Sequence, residues 1–265
     1  MCPIFLQAYS ALSDTGIYSF KHGHRQWDHD QNGSPLKVKR IQVQKKPYPG
    51  FGKLYSPDKL AFAVSTLLFS DFDDYNGKTT GICLATSFGS LETDIQFRQS
   101  IVSGFPSPSC FAATLPSSPI ADIAIVFHLK GPNRVIVDEA NSGVMAIDMA
   151  LHMLLCHRAD SILVLVVRVL EKNDTYSQYL KQTFNRDAYS YAFLFTSRES
   201  LLGLNYSVEY SISNNVKNFS QKRSEKSYFS NIIQSLETNN EYQGSFPIYG
   251  KKGFIKIRNH HGPTT

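Results

Sequence analysis

Thiols, imidazoles and one serine at a chain turn are the side chains here best suited to covalent chemistry. Cys2, Cys83, Cys110 and Cys156 are far apart, with no C-x-x-C pair and no histidine at metal-ligand spacing. That pattern predicts neither a zinc site nor a disulfide framework, and reduced thiols are the expectation. Ser142, in Ala140-Asn141-Ser142-Gly143, stands where a strand feeds a helix, as a hydrolase nucleophile does. The two flanking glycines of that motif are not both present, and His152 and His157 follow ten and fifteen residues along the same helix, so a core or interface serine is expected. Asp71, Asp73 and Asp74 read as a solvated turn at a helix end, and no metal or cofactor is assigned. Met145, Met149 and Met153 recur at i, i+4, i+8, a stripe that suits the lining of an acyl tunnel and equally suits plain core packing.

The elements that must position these groups follow from apolar periodicity. Ile4 to Ala8 reads as a first strand, with Ser10 to Gly16 as a turn. Residues 21–53 read as an irregular excursion whose basic cluster, Lys37, Lys39, Arg40, Lys45 and Lys46, is expected to be a solvated face. Ser56-Pro57 supplies an N-cap and a first-turn proline for a helix to Phe69. Thr79–Thr86 reads as a strand, and Leu91–Val102 as a helix with Ile95, Phe97 and Ile101 inward. After the break at Pro106 and Pro108, a helix over Ile120–Leu129 is stopped by Gly131-Pro132. Val135–Val137 then forms a strand feeding the helix Ser142–His157, which is apolar nearly all round and so belongs to a covered inner layer. Ser161–Leu170 and Tyr189–Phe195 read as strands, and residues 213–240 as a polar, weakly structured tail with a short helix at Phe229–Leu236. This organisation gives a domain over 1–212 and a polar, basic extension over 213–265.

With 265 residues and 42% hydrophobic content, the chain can bury a large α/β core. Its formal charge of +5 is too mild to imply nucleic acid, and no aromatic platform accompanies the Lys37 to Lys46 cluster. The amino terminus has no basic, extended apolar leader, and the apolar run Ser161–Leu170 falls short of the ~20 residues a membrane helix needs. A cytoplasmic protein without a membrane span is expected.

Ordered motifs then carry a resemblance. Gly81-Ile-Cys-Leu-Ala-Thr-Ser-Phe-Gly-Ser-Leu-Glu-Thr-Asp94, then Ser107-Pro108 with Phe111 and Thr114-Leu115-Pro116, then Leu129-Lys130-Gly131-Pro132-Asn133, then Arg158-Ala159-Asp160, resemble in order the amino-terminal half of a β-ketoacyl synthase. The resemblance implies an α/β half of a thiolase fold, a mixed five-stranded sheet with helices on both faces, completed by a partner subunit. It also implies dimers joined edge to edge through Asn133 to Val137.

The departures from the family bear on activity. The family's elbow reads T-A-C-S-S-G, and here it reads Asp138-Glu139-Ala140-Asn141-Ser142-Gly143, so aligning the glycine puts Ala140 at the cysteine's place. The chemistry requires a thiolate at a helix amino terminus, where backbone N–H groups and the helix dipole lower its pKa; a methyl group supplies none. A glycine pair of the family is replaced by Leu165 and Val166, and the second half with the catalytic histidines is not completed before Thr265. Asn259-His260-His261-Gly262-Pro263 resembles the family's histidine motif, with Pro263 intruding, and reads as chance or a remnant.

The resemblance therefore implies a non-catalytic, chain-length-factor-like subunit, as in type II polyketide or aryl polyene synthesis. It would form a heterodimer with an active β-ketoacyl synthase and meet acyl carrier protein indirectly. Phe111, Ala112, Ala113, Thr114, Val135 and Val137, with Met145 and Met149, are its candidate tunnel and interface residues. The alternative is an enzyme of altered chemistry, such as a malonyl carrier protein decarboxylase using Asn141 and a tail histidine.

Overall fold

The computed structural model describes residues 3–14, 16–26, 48–72, 75–138, 141–169, 188–198, 206–213, 225–238, 240–248 and 251–259. Ala140, Cys2, Asp73, Asp74, His260, His261 and the Lys37 to Lys46 cluster lie outside them. The strands are β1 (Ile4–Ser13), β2 (Gly16–Ser19), β3 (Gly23–Arg25), β4 (Thr80–Thr86), β5 (Asn133–Val137), β6 (Ser161–Arg168), β7 (Tyr189–Thr196), β8 (Tyr206–Ser213), β9 (Tyr242–Ile248) and β10 (Lys251–Asn259). The helices are α1 (Ser56–Phe69), α2 (Leu91–Val102), α3 (Pro108–Ala112), α4 (Ser118–Val126), α5 (Ser142–Leu155) and α6 (Glu225–Glu237).

The strands form one sheet in the order β5-β4-β6-β7-β1-β8-β10-β9, with the β2–β3 ribbon hung on β1. β4 runs parallel to β5 and β6, and the other ladders are antiparallel. The sheet is mixed with helices on both faces, as expected. Its size needs correction: β5-β4-β6-β7-β1 are the expected five strands, but among the described residues the sheet has ten, because β8, β10 and β9 extend it beyond β1 and the β2–β3 ribbon adds two more.

Pleating assigns alternate residues to two cores. On β6, Ile162, Val164 and Val166 face α5 and α6, while Leu163, Leu165 and Val167 face α1 and α4. A strand buried on both sides reads as the continuous apolar run seen here. β1 changes face at a bulge between Leu6 and Ala8, then continues to Ser13, into the expected turn. Its buried Ser10 is satisfied by donating to the Val64 carbonyl of α1, at 2.7 Å.

Local corrections have physical causes. The N-cap of α1 is Tyr55, not Ser56, and the carboxylate of Asp58 at N3 accepts the Tyr55 backbone N–H, half of a capping box. Ile101 is 51% exposed instead of inward, because α2 packs mainly on α3. The tail expected over 213–240 holds α6, longer than the short helix expected at Phe229–Leu236, and the extension beyond it holds the β9–β10 hairpin, with Tyr228, Phe229, Ile232 and Leu236 in the same core as α5. That core also covers α5, whose only exposed residue is His152. The expected covered inner layer is thus supplied by the chain itself.

The Leu129 to Asn133 turn is fixed by a close backbone approach. Gly131 N–H donates to the Thr80 carbonyl at 2.8 Å, and Ile82 N–H donates to the Pro132 carbonyl at 3.0 Å. A Cβ on Gly131 would lie 2.5 Å from the Gly81 nitrogen, and one on Gly81 would lie 2.3 Å from the Pro132 oxygen. Both positions therefore exclude a side chain.

Candidate functional site

The elbow region is assembled at the carboxyl ends of β4, β5 and β6. Asp138 N–H donates to the Thr86 carbonyl at 3.2 Å, and the Asp138 carboxylate accepts Asn141 N–H at 2.7 Å. Asn141 is the N-cap of α5 but makes no side-chain cap bond. Ser142 is 1% exposed, with no hydrogen-bond partner for its hydroxyl among the described residues. It is a buried serine, in keeping with the sequence expectation. Arg168, at the end of β6, sits over the Phe88 ring at 5.6 Å.

The described thiols are poorly placed to replace a nucleophile at this elbow. Cys83 lies within β4, fully buried, and burial pushes its thiol up to about 12. Cys156 caps the other end of α5, ~20 Å along the helix at 1.5 Å per residue. Cys110 lies on α3, 2.9 Å from the Tyr55 hydroxyl. Leu165 and Val166, on β6 between β4 and β7, are 0% and 1% exposed, so their side chains fill the two cores on opposite faces of the sheet.

The candidate tunnel residues divide into separate groups. Phe111, 61% exposed, stacks in a tilted pair with Phe97 at 5.2 Å. Ala112 is exposed, and Ala113 and Thr114 are half-buried. Gly89 takes a left-handed φ of +58°, and a Cβ there would lie 3.4 Å from Pro116 and 3.6 Å from Val137, which places the end of the 111–116 segment near the end of β5. Val135 packs against the α1 and α4 core, whereas Met145 and Met149 pack against the opposite core. Those two groups are separated by the sheet and cannot line one channel within this chain. Among the described residues no group of three metal-ligating side chains forms, and no helix is long and apolar enough to cross a membrane.

A cleft that the sequence did not reveal lies between the start of α1, the start of α2 and the segment after α3. Tyr55, Asp58, Thr86, Gly89, Glu92 and Ala113 line it, and its room of about 20 Å³ suits a water rather than an acyl chain. Burial raises the Asp58 carboxyl from 3.8 to about 7, against the lowering effect of the Tyr55 backbone bond. The hydrogen bond to Cys110, with burial second, raises Tyr55 to about 12.

Residues 64–190 match the family described as β-ketoacyl synthase, N-terminal domain. A comparison with curated proteins finds no match. Among solved structures, the ishigamide ketosynthase/chain length factor shares 14% identity at a TM-score of 0.69, covering 97% of this chain and 99% of that one. A ketosynthase (ApeO) in complex with its chain length factor (ApeC) from Xenorhabdus doucetiae shares 14% identity at a TM-score of 0.64, covering 95% and 98%. A β-ketoacyl synthase from Burkholderia phymatum STM815 shares 10% identity at a TM-score of 0.67, covering 98% and 100%. At such identities the likeness establishes the fold. The chain is thus ketosynthase-like: residues 64–190 match the β-ketoacyl synthase amino-terminal domain, and the fold is of the thiolase type.

Proposed function

We propose that this chain is a non-catalytic, chain-length-factor-like subunit that pairs in the cytoplasm with an active β-ketoacyl carrier protein synthase and shapes that partner's acyl tunnel. Type II polyketide or aryl polyene synthesis is the setting, and acyl carrier protein is met through the partner. The observation that carries the reading is a ketosynthase-type fold whose elbow sequence offers Ala140 where a thiolate is required. Further support comes from β5, an edge strand whose outer side is unpaired among the described residues, with Val137 51% and Leu115 61% exposed nearby. Such an edge invites strand pairing with another chain. The small cleft also favours a tunnel that exists only once a partner contributes the other wall.

The test is co-expression with an active ketosynthase and reconstitution with carrier protein. The reading expects a one-to-one complex, and Ala112→Phe or Ala113→Phe should shorten the products while the complex forms and turns over. Overpacking of this kind costs ~1–3 kcal/mol, enough to shift termination about tenfold or more. A length distribution that moves for neither variant overturns the tunnel role.

A second reading, an acyl-thioester enzyme of altered chemistry such as a malonyl carrier protein decarboxylase, draws on Asn141, whose amide makes no cap bond at the α5 amino terminus. Carbon dioxide release by the purified chain, lost in Asn141→Ala, would favour it.

A further inference from the structure

We propose that the α2–α3 segment, residues 91–113, is a proton-latched flap: it docks on α1 over a pocket of carboxyl groups, and ionisation of Asp58 in that pocket loosens it. The proposal is independent of the function proposed above.

The flap is lightly anchored. Thr93 is the only buried residue of α2, and α3 has none. The two helices pack chiefly on each other, joined by Phe97 on Phe111 and by the Thr93 hydroxyl donating to the Ala113 carbonyl at 2.8 Å. Ile101, Val102, Phe105 and Phe111 are between 51% and 83% exposed, so little apolar burial holds the segment down. Such segments open at low free-energy cost. Its polar ties to α1 are the Tyr55 hydroxyl with Cys110 Sγ at 2.9 Å and the Ser56 hydroxyl with Glu92 at 3.5 Å.

The pocket under the flap concentrates acid. Asp58, 8% exposed, is buried by the flap's own residues Glu92, Thr93 and Ala113 together with the body. Its charged and titratable surroundings are Tyr55 and Lys59 on α1, Glu92 on α2, Cys110 on α3 and Asp122 on α4, which in turn accepts from Tyr48 at 3.1 Å. Lys59 is the only cation among these, and Asp122 opposes ionisation of Asp58. Opening the flap lets water reach Asp58, which can then release its proton. Burial raises that carboxyl to about 7 when docked, so the open form gains stability as pH rises from about 4 toward that value, and the gain is complete above it. For one carboxyl the opening constant should rise on the order of tenfold to a hundredfold between pH 5 and pH 8.

The experiment is amide hydrogen exchange on the full chain at both pH values, corrected for intrinsic exchange rates and read by mass spectrometry. Residues 91–113 should lose protection by that factor while α5 changes far less, and Asp58→Asn should abolish the difference. A segment equally protected at both pH values, or a pH dependence that persists in Asp58→Asn, overturns the proposal. Tyr55→Phe serves as a second variant: it should raise exchange at both pH values without changing their ratio, and no rise would overturn the docked geometry, because the flap would not be held to α1 where Tyr55 meets Cys110.

Discussion

Tyr210 on β8 donates its hydroxyl to the Asp148 carboxylate on α5. One bond thereby ties the added strands to the helix that begins at the elbow. The added strands and α6 share a core with α5, so the helix is covered by the chain's own later residues. Tyr210→Phe should lower the unfolding free energy by about 1.5–3 kcal/mol, the usual value of a hydrogen bond to a charged partner. Urea denaturation followed by circular dichroism reads it, and an unchanged midpoint would mean that the bond contributes nothing.

Asp58 makes stability depend on pH. Its carboxyl is raised by burial from 3.8 to about 7, so the folded chain holds a proton that the unfolded chain has lost between those values. Stability from this group is full below about 4, falls as pH rises, and has reached its lower plateau above about 7; the full span is ~4 kcal/mol at 1.36 kcal/mol per unit. Asp58→Asn should therefore be more stable than the parent by ~2–4 kcal/mol at pH 8 and nearly equal at pH 4. Denaturation at both pH values decides it.

His157 follows α5 with a left-handed φ of 52°. Around it Arg158 N–H donates to the Met153 carbonyl at 2.9 Å and His157 N–H to that of Leu154 at 3.0 Å, the pattern of a glycine-type helix end. His157→Gly should relieve the Cβ penalty and stabilise the fold by about 1 kcal/mol. A lower melting temperature would refute that account.

Acyl loading followed by intact mass should show no adduct at the elbow. Ala140→Cys should still give no turnover, because Leu165 and Val166 fill the cores on either side of β6. Turnover by that single variant would show that the missing thiol was the sole deficit.

Whether the chain stands alone is also measurable. The β5 edge and the apolar flap tip are open surfaces among the described residues, so the isolated chain should associate through these, and co-expression with a full ketosynthase should suppress that association. A monodisperse, thermally stable monomer in size-exclusion chromatography would contradict partner dependence.

The parallel core was legible because its signals are local. The continuous apolar run of β6 and the apolar circumference of α5 each follow from burial, whereas the helix expected to run to Leu129 before the Gly-Pro stop ends at Val126. The continuation of β1 through Ser10 to Ser13 was hidden because Ser10 is polar and yet buried, its hydroxyl satisfied by the distant Val64 carbonyl. β8 carries a local signal as well: Tyr206, Val208, Tyr210 and Ile212 alternate with polar residues, the mark of a strand with one covered face. The Asp58 cleft had no such local mark. Its carboxyl is buried only because α2 and α3 dock over the start of α1, and Leu91–Val102 gives no hint of that partner.

The approach of Gly81 to Gly131 separates recognisability from reactivity. The Leu-Lys-Gly-Pro-Asn turn is required because two backbones meet with no room for a Cβ, and that need persists whether or not a thiol stands at the elbow. A comparison that scores this turn detects a joint in the scaffold, so a chain can look like a synthase throughout and still have lost the reaction.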